Sequence, residues 1–375
     1  METDISTSGD LRLTCSRDEL AQKLAVVSRG VSSRTAVQIL SGILLRSEGG
    51  QLHLAATDME LSLRASLPAT VESEGSVVVP GKLLVDLVRH LPAPEVRIEY
   101  SADEGVLRIT SGASESRVNT YAAADFPRLP EVENVQLHAL SAGAVLETIN
   151  RVRRAASRDE SRPVLTGILV RFEAGKLVMA ATDSYRLSVK ETPLEENVPE
   201  MEAIVPARAL EELARIGVGA TMLELGVREN QVIFGADGIW LTTRRIDGQF
   251  PNYRQLLPEA FEHVVTVNRL ELLEVVRRTS VLAQRNSPLR LRFAEGELVV
   301  SAQTQDVGES RESMPISFSG EPLEIGFNAE FLRDGIDSVE GEELKVNLIS
   351  PLRPGLLRGT QGDFSYLIMP IRLAG

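Results

Sequence analysis

The chain has 375 residues, 43% hydrophobic and 25% charged, with a formal net charge of -13. This is globular composition with length for two or three domains, each with its own core, and the acidic balance excludes an evenly basic surface for nucleic acid. The first ten residues are polar and acidic rather than basic then apolar, and no stretch reaches the ~18 apolar residues of a membrane span, so neither secretion nor insertion is expected. Cys15 stands alone in an apolar alternation. That pattern predicts a buried, reduced thiol in a cytoplasmic setting rather than a disulfide framework or a nucleophile. The helix after it carries Arg17, Lys23 and Arg29 against Asp18 and Glu19. From Gly42 the chain reads GILLRSEGGQLHLAATDMELSL, and from Gly167 it reads GILVRFEAGKLVMAATDSYRLSV.

A repeat of this kind changes the meaning of every motif within it. VVVPGKLLVDLVRHLP around Pro80 returns as AIVPARALEELARIG around Pro206, and DFPRLP at Phe126 returns as QFPNYRQLLP at Phe250. A fainter third copy runs from LRLRFAEGELVVSAQTQDV at Leu289 through IGFNAEFLRDGIDSVEG to FSYLIMPIRL. Three domains follow, residues 1–133, 134–260 and 261–375, each of roughly 120 to 130 residues, a common domain size. In the second, the hydrophobic period predicts a strand over 135–140, a helix over 141–158 capped by Ser141, and strands over 164–173, 176–181 and 185–191. Another strand, a helix from Ala207 and three more strands complete it. Short glycine-bearing turns (EGG at Glu48, DEG at Asp103, EAG at Glu173, AEGE at Ala294) mark antiparallel hairpins. The class is α+β: three tandem two-helix, antiparallel-sheet domains, each pair of helices covering one sheet face.

The residues carry little chemistry. Asp58 and Asp183 occupy equivalent places in separate repeats, where a catalytic pair must converge on one substrate. A strand-end turn in which Thr and Asp satisfy backbone groups explains both. His53, His90, His138 and His263 are isolated, so no metal site is expected, and no phosphate loop, GxSxG or HExxH occurs. Positive charge is unevenly placed. Val145, Ile149, Val152 and Ala156 form one helical stripe, with Arg151, Arg154 and Arg158 opposite. A helix over 268–285 carries Arg269, Arg277, Arg278 and Arg285 against Glu271 and Glu274, whereas the last helix (Glu330, Arg333, Asp334, Asp337) is acidic.

Three tandem copies, AATDMEL and AATDSYRL, FPNYRQLLP and the terminal YLIMPIRL together resemble the bacterial DNA sliding clamp family, the beta subunit of the replicative DNA polymerase III holoenzyme. The resemblance implies a non-enzymatic processivity factor without cofactor or metal, a homodimer whose domains join head to tail in a closed ring on duplex DNA. It also implies a cleft for short linear motifs of the replicative DNA polymerase, the clamp loader, repair polymerases and mismatch-repair proteins. Residue by residue, that cleft comprises Leu165, Thr182, Ser184, Tyr185, Arg186, Leu187, Pro251, Leu256, Asn328, Phe331, Leu367, Met369, Pro370, Ile371 and Arg372. Core packing explains Leu165, Leu187 and Leu256 equally well. For DNA the resemblance points to Arg34, and the helix faces to Arg151, Arg154, Arg158 and Arg278. The expectation is that Arg151→Ala with Arg154→Ala lowers loading or processivity and leaves the fold intact. Leu107, Ile109, Val281 and Leu282 stand for the protomer contact between the first and third domains. A monomeric peptide-binding adaptor of the same fold without a DNA role stays open, as does, more distantly, a hydrolase using Asp58 or Asp183.

Overall fold

The computed structural model describes residues 9–32, 37–130, 132, 135–283, 287–304 and 307–373. It divides into two compact units, Met1–Leu140 with Arg215–Arg244, and Ser141–Ala214 with Arg245–Gly375. In the first, Leu11–Ser16 turns Leu11, Leu13 and Cys15 inward, the alternation a strand imposes. This strand sits between Glu95–Ser101 and Leu61–Ser73, antiparallel to both. The sheet path runs Ser114–Asn119, Val106–Ser111, Glu95–Ser101, Leu11–Ser16, Leu61–Ser73, Ile239–Arg244, Gln231–Ala236, Met222–Arg228 and His138–Ser141. Two helices, α1 (Arg17–Val27) and α2 (Gly81–Arg89), bury Leu20, Leu24 and Val27, and Leu84, Val85 and Val88, against it.

In the second unit an eight-stranded sheet runs Met201–Pro206, Gly167–Glu173, Lys176–Thr182, Arg186–Pro193, Phe364–Ile368, Gly355–Arg358, Glu343–Leu348 and His263–Asn268. A four-stranded sheet runs Gly308–Pro315, Glu297–Thr304, Leu289–Ala294 and Leu323–Phe327. The helices are α3 (Ala142–Val152), the single turn α4 (Pro163–Thr166), α5 (Ala207–Ile216), α6 (Arg269–Ser280) and α7 (Ala329–Ser338). Asn268 and Asn328 cap α6 and α7, their side-chain oxygens accepting from the Glu271 and Phe331 amides at 2.9 and 3.0 Å. These bonds satisfy donors that a helix start leaves open.

Several boundaries differ from the expected ones. The helix expected over 141–158 ends at Val152 and tightens into a turn over Arg153–Ala155, where the Ser157 amide is taken by the Leu165 carbonyl at 2.8 Å. Ser141 stands at the cap position, but its hydroxyl makes no capping bond; its amide donates to Glu196 at 2.7 Å. The strand expected from 164 starts at Gly167 because Pro163, with φ preset for a helix start, opens α4. The strand expected over 135–140 is His138–Ser141, and the helix expected over 268–285 is α6.

The repeat is visible in one recurrent contact. Just before each Phe-Pro segment, and within the C-terminal one, the chain bonds to a strand: the Tyr121 amide donates to the Val78 carbonyl, Ile246 to Ile204 and Ile371 to Gly326, each at 2.8 Å.

Candidate functional site

The duplicated Thr-Asp is a turn in both copies. Thr57 Oγ1 donates to the Leu61 carbonyl at 3.0 Å, and Thr182 Oγ1 to the Arg186 carbonyl at 2.7 Å. Asp58 Oδ1 accepts from the Glu60 and Leu61 amides, and Asp183 Oδ1 from the Tyr185 and Arg186 amides, at 2.9 to 3.1 Å. Met59 and Ser184 both take φ 79°, a left-handed conformation that side chains disfavour. Both carboxylates therefore hold backbone.

Only the second copy builds a site on this turn. Where the first has Leu61, 2% exposed, the second has Arg186. Arg186 Nε donates to Asp183 Oδ2 at 3.0 Å, and its Nη1 to Asp334 Oδ2 at 2.7 Å and to the Tyr366 hydroxyl at 3.4 Å. The guanidinium lies over the Phe331 ring, 4.2 Å from its centre, a cation–π contact. Burial by itself lowers the Arg186 pKa, but Tyr366, Asp334 and Asp183 outweigh it and raise it. Tyr366 donates in turn to the Phe331 carbonyl at 2.8 Å.

Around this cluster the expected cleft residues fall into two sets. Thr182, Arg186, Leu187 and Leu367 are buried, with Leu187 paired to Leu367 across adjacent strands. Leu187 and Leu367 belong to a core that includes Phe250, Tyr253, Ile204 and Leu356. Tyr185, Leu256 and Met369 are 62%, 51% and 42% exposed, and Ser184, Pro251 and Arg372 are also exposed. Leu165, Asn328, Phe331, Pro370 and Ile371 are half-buried. The Met369 amide donates to the Tyr185 carbonyl at 2.9 Å, joining the C-terminal segment to the turn. Gly326 is required where that segment crosses: a Cβ there would lie 2.6 Å from Leu373 and 2.9 Å from the Ile371 carbonyl. The turn and the C-terminal segment thus present exposed Tyr185 and Met369 beside buried Leu187 and Leu367. Asp334 and Tyr366 were not among the expected cleft residues. Asp334 reads in sequence as one acid of an acidic helix, and Tyr366 as an alternating strand residue.

The arginines proposed for DNA are placed unequally. Arg34 lies outside the described residues. Arg151 donates to the Ser338 carbonyl at 2.8 Å and pairs with Glu340 at 3.2 Å and Glu147 at 3.7 Å. Arg154 pairs with Asp337 and, at 3.8 Å, with Asp334. Arg151 of α3 and Arg154 of the turn that follows it thus reach α7 and Glu340 just beyond it, around a cavity of about 320 Å³ lined by Glu147, Asn150, Arg153 and Asp337 among others. Arg278 grips Glu312 with three hydrogen bonds of 2.7 to 3.1 Å, from Nε to both carboxylate oxygens and from Nη2 to Oε2. Arg158 is exposed beyond the end of α3. The acidic α7 is therefore largely neutralised by α3 and Arg186.

Of the residues expected at a protomer contact, Leu107 and Ile109 are 0% exposed and point into the first unit's core, on a strand interior to its sheet. Their side chains cannot meet a partner, because the alternation that leaves Arg108 outside turns both of them inward. Val281 is 82% exposed and Leu282 half-buried just past α6.

Three tandem α+β domains of mixed helices and antiparallel sheets define a clamp-type scaffold. Family models for the N-terminal, central and C-terminal domains of the DNA polymerase III beta subunit match residues 11–130, 139–252 and 254–372. The chain is 32% identical to the beta sliding clamp of Streptomyces coelicolor and 35% to that of Synechococcus elongatus, in each case over 97% of this chain and 100% of the relative. A crystal structure of the Pseudomonas aeruginosa sliding clamp bound to griselimycin superposes with a TM-score of 0.89 at 27% identity, covering 97% of this chain and 100% of that one. The chain belongs to the DNA polymerase III beta subunit family. Its function is that of a sliding clamp, a processivity factor of DNA replication.

Proposed function

We propose that two copies of this chain close head to tail around duplex DNA and tether client proteins through the groove of Tyr185, Phe331 and Met369. The clients are the replicative DNA polymerase, the clamp loader, repair polymerases and mismatch-repair proteins. The observation that carries the reading is the ordered match of all three domains over residues 11–372. We place domain limits at 1–133, 134–260 and 261–375, the first boundary falling between the matches that end at 130 and begin at 139, and the second a few residues inside the match that begins at 254. A non-enzymatic role is supported by Asp58 and Asp183, whose carboxylates are occupied by backbone amides. A cytoplasmic setting is supported by the free, buried Cys15, and no helix of the described residues is long and apolar enough to cross a membrane.

For the groove, exposed Tyr185, Leu256 and Met369 over a buried floor support binding of a segment with a few apolar anchors, each contributing ~1.5 to 3 kcal/mol on burial. Griselimycin, bound by the Pseudomonas relative, is the natural probe of it. For DNA, Arg158 meets phosphate directly, whereas Arg151, Arg154 and Arg278 do so by exchanging a carboxylate for it. Such contacts are weak and salt-sensitive, as sliding requires. For the ring, Ser114–Asn119 and Gly308–Pro315 are the end strands of their sheets. Their unpaired backbone groups are the edges that closure would join, with Val281 and Leu282 beside the second.

The test is topological. The protein is loaded on nicked circular DNA with its loader and ATP, the complexes are isolated by gel filtration, and the circle is then cut. Release on linearisation is the expected result; retention on the cut DNA would refute encirclement. A loader active on another clamp but unable to load this one would favour the monomeric adaptor.

A further inference from the structure

The groove and the α3 arginines share one carboxylate. Asp334, with a side chain 15% exposed, receives Arg186 Nη1 on Oδ2 at 2.7 Å and faces Arg154 Nη1 across 3.8 Å with Oδ1. Each arginine is divided between two acids. Arg186 also donates to Asp183, whose carboxylate holds the turn that presents Tyr185, and Arg154 also pairs with Asp337. A contiguous row of charges therefore runs from Asp183 in the Tyr185 turn, through the nearly buried Arg186 guanidinium and Asp334, to Arg154 in the turn just past α3. Where charges are this shielded from water, changing one partner alters the hold of the next.

We propose that Asp334 couples the affinity of the groove to the engagement of Arg154, so that a phosphate drawing Arg154 away loosens the groove's hold on its client. This rests on the groove and duplex readings above. With Arg154 gone, Asp334 keeps Arg186 as its one cation and draws it toward α7. Asp183 then shares less of that guanidinium, and the Tyr185 turn is less firmly set for binding. By linkage, an occupied groove changes the phosphate affinity of the α3 face by the same factor. Asp334 is a positioning residue in this scheme, and its consequence is easier exchange of one client for another on a loaded clamp.

The experiment titrates griselimycin into the full-length protein by calorimetry. Arg154→Met is expected to weaken binding by about two- to thirtyfold, the range of couplings carried by residues that touch neither ligand. Arg154→Lys restores most of the affinity, and Lys176→Met, at an exposed position paired with Glu191, changes nothing. In an Asp334→Asn background, Arg154→Met has no further effect. Unchanged affinity in Arg154→Met overturns the proposal, and so does an equal loss with and without Asp334, which would mean that α3 had merely loosened. Thermal midpoints of all variants establish that they are folded. If the unaltered protein does not bind griselimycin at all, the groove reading itself fails and the coupling falls with it.

Discussion

Arg186 is 7% exposed and fully charged, a combination that holds only while its partners are in place. Arg186→Ala leaves Asp183 without its cation and Asp334 with only Arg154, at 3.8 Å, and removing one member of a buried ionic cluster costs about 3 to 5 kcal/mol. Urea unfolding of the variant is expected to show that loss together with loss of griselimycin binding. The Thr-Asp turns offer the opposite case. Met59 is 51% exposed at φ 79°, so Met59→Gly is expected to raise stability by about 1 kcal/mol, the cost of a left-handed side-chain residue, read as a higher Tm. At Cys15, burial first, then Glu19 and Glu95, pushes the thiol from 9.0 up to about 12. Between those values the unfolded chain loses a proton that the folded chain keeps, so this residue lowers stability as pH rises from about 9 to 12. Denaturation at several pH values should show that slope in the unaltered protein and a flatter one in Cys15→Ala.

The elements themselves were mostly legible in sequence. The period-2 runs around Leu169, Val178 and Val189 became strands, and the 3.6 stripe of Val145, Ile149 and Val152 became the buried face of α3. Ends were less legible, because they depend on partners remote in sequence: Leu165 captures the Ser157 amide beyond α3. The same limit applied to the arginines opposite the stripe. Period shows that Arg151 and Arg154 leave the apolar face, but not that α7 waits there with Ser338, Glu340 and Asp337. Arg151→Ala with Arg154→Ala is therefore expected to cost about 1 to 2 kcal/mol of stability, from a lost hydrogen bond and partly exposed ion pairs. Unfolding measured beside processivity separates the two effects, and Arg158→Ala is expected to lower processivity without changing stability.

For the whole molecule, the open edges set the assembly. Val281→Glu places a charge on a side chain 82% exposed just past α6, the helix that packs on the Gly308–Pro315 strand. It is expected to shift the protein toward monomer in sedimentation velocity and to reduce retention on circular DNA. An unchanged dimer would remove this surface from the contact. What the sequence by itself determined was repetition: three copies of one strand-and-helix pattern, the turns within them, and the family they share. Local periodicity and glycine-bearing turns are enough for that, since each depends on residues near in the chain. Tertiary structure alone decided which charges are available and which side chains face outward. It turned Leu107 and Ile109 into core, gave Arg151 and Arg154 to α7, and gathered Arg186, Phe331, Asp334 and Tyr366 into one cluster from three separate stretches. The reason is physical: a guanidinium takes its role from the nearest carboxylates, and in a sheet built of distant strands these are far away along the chain.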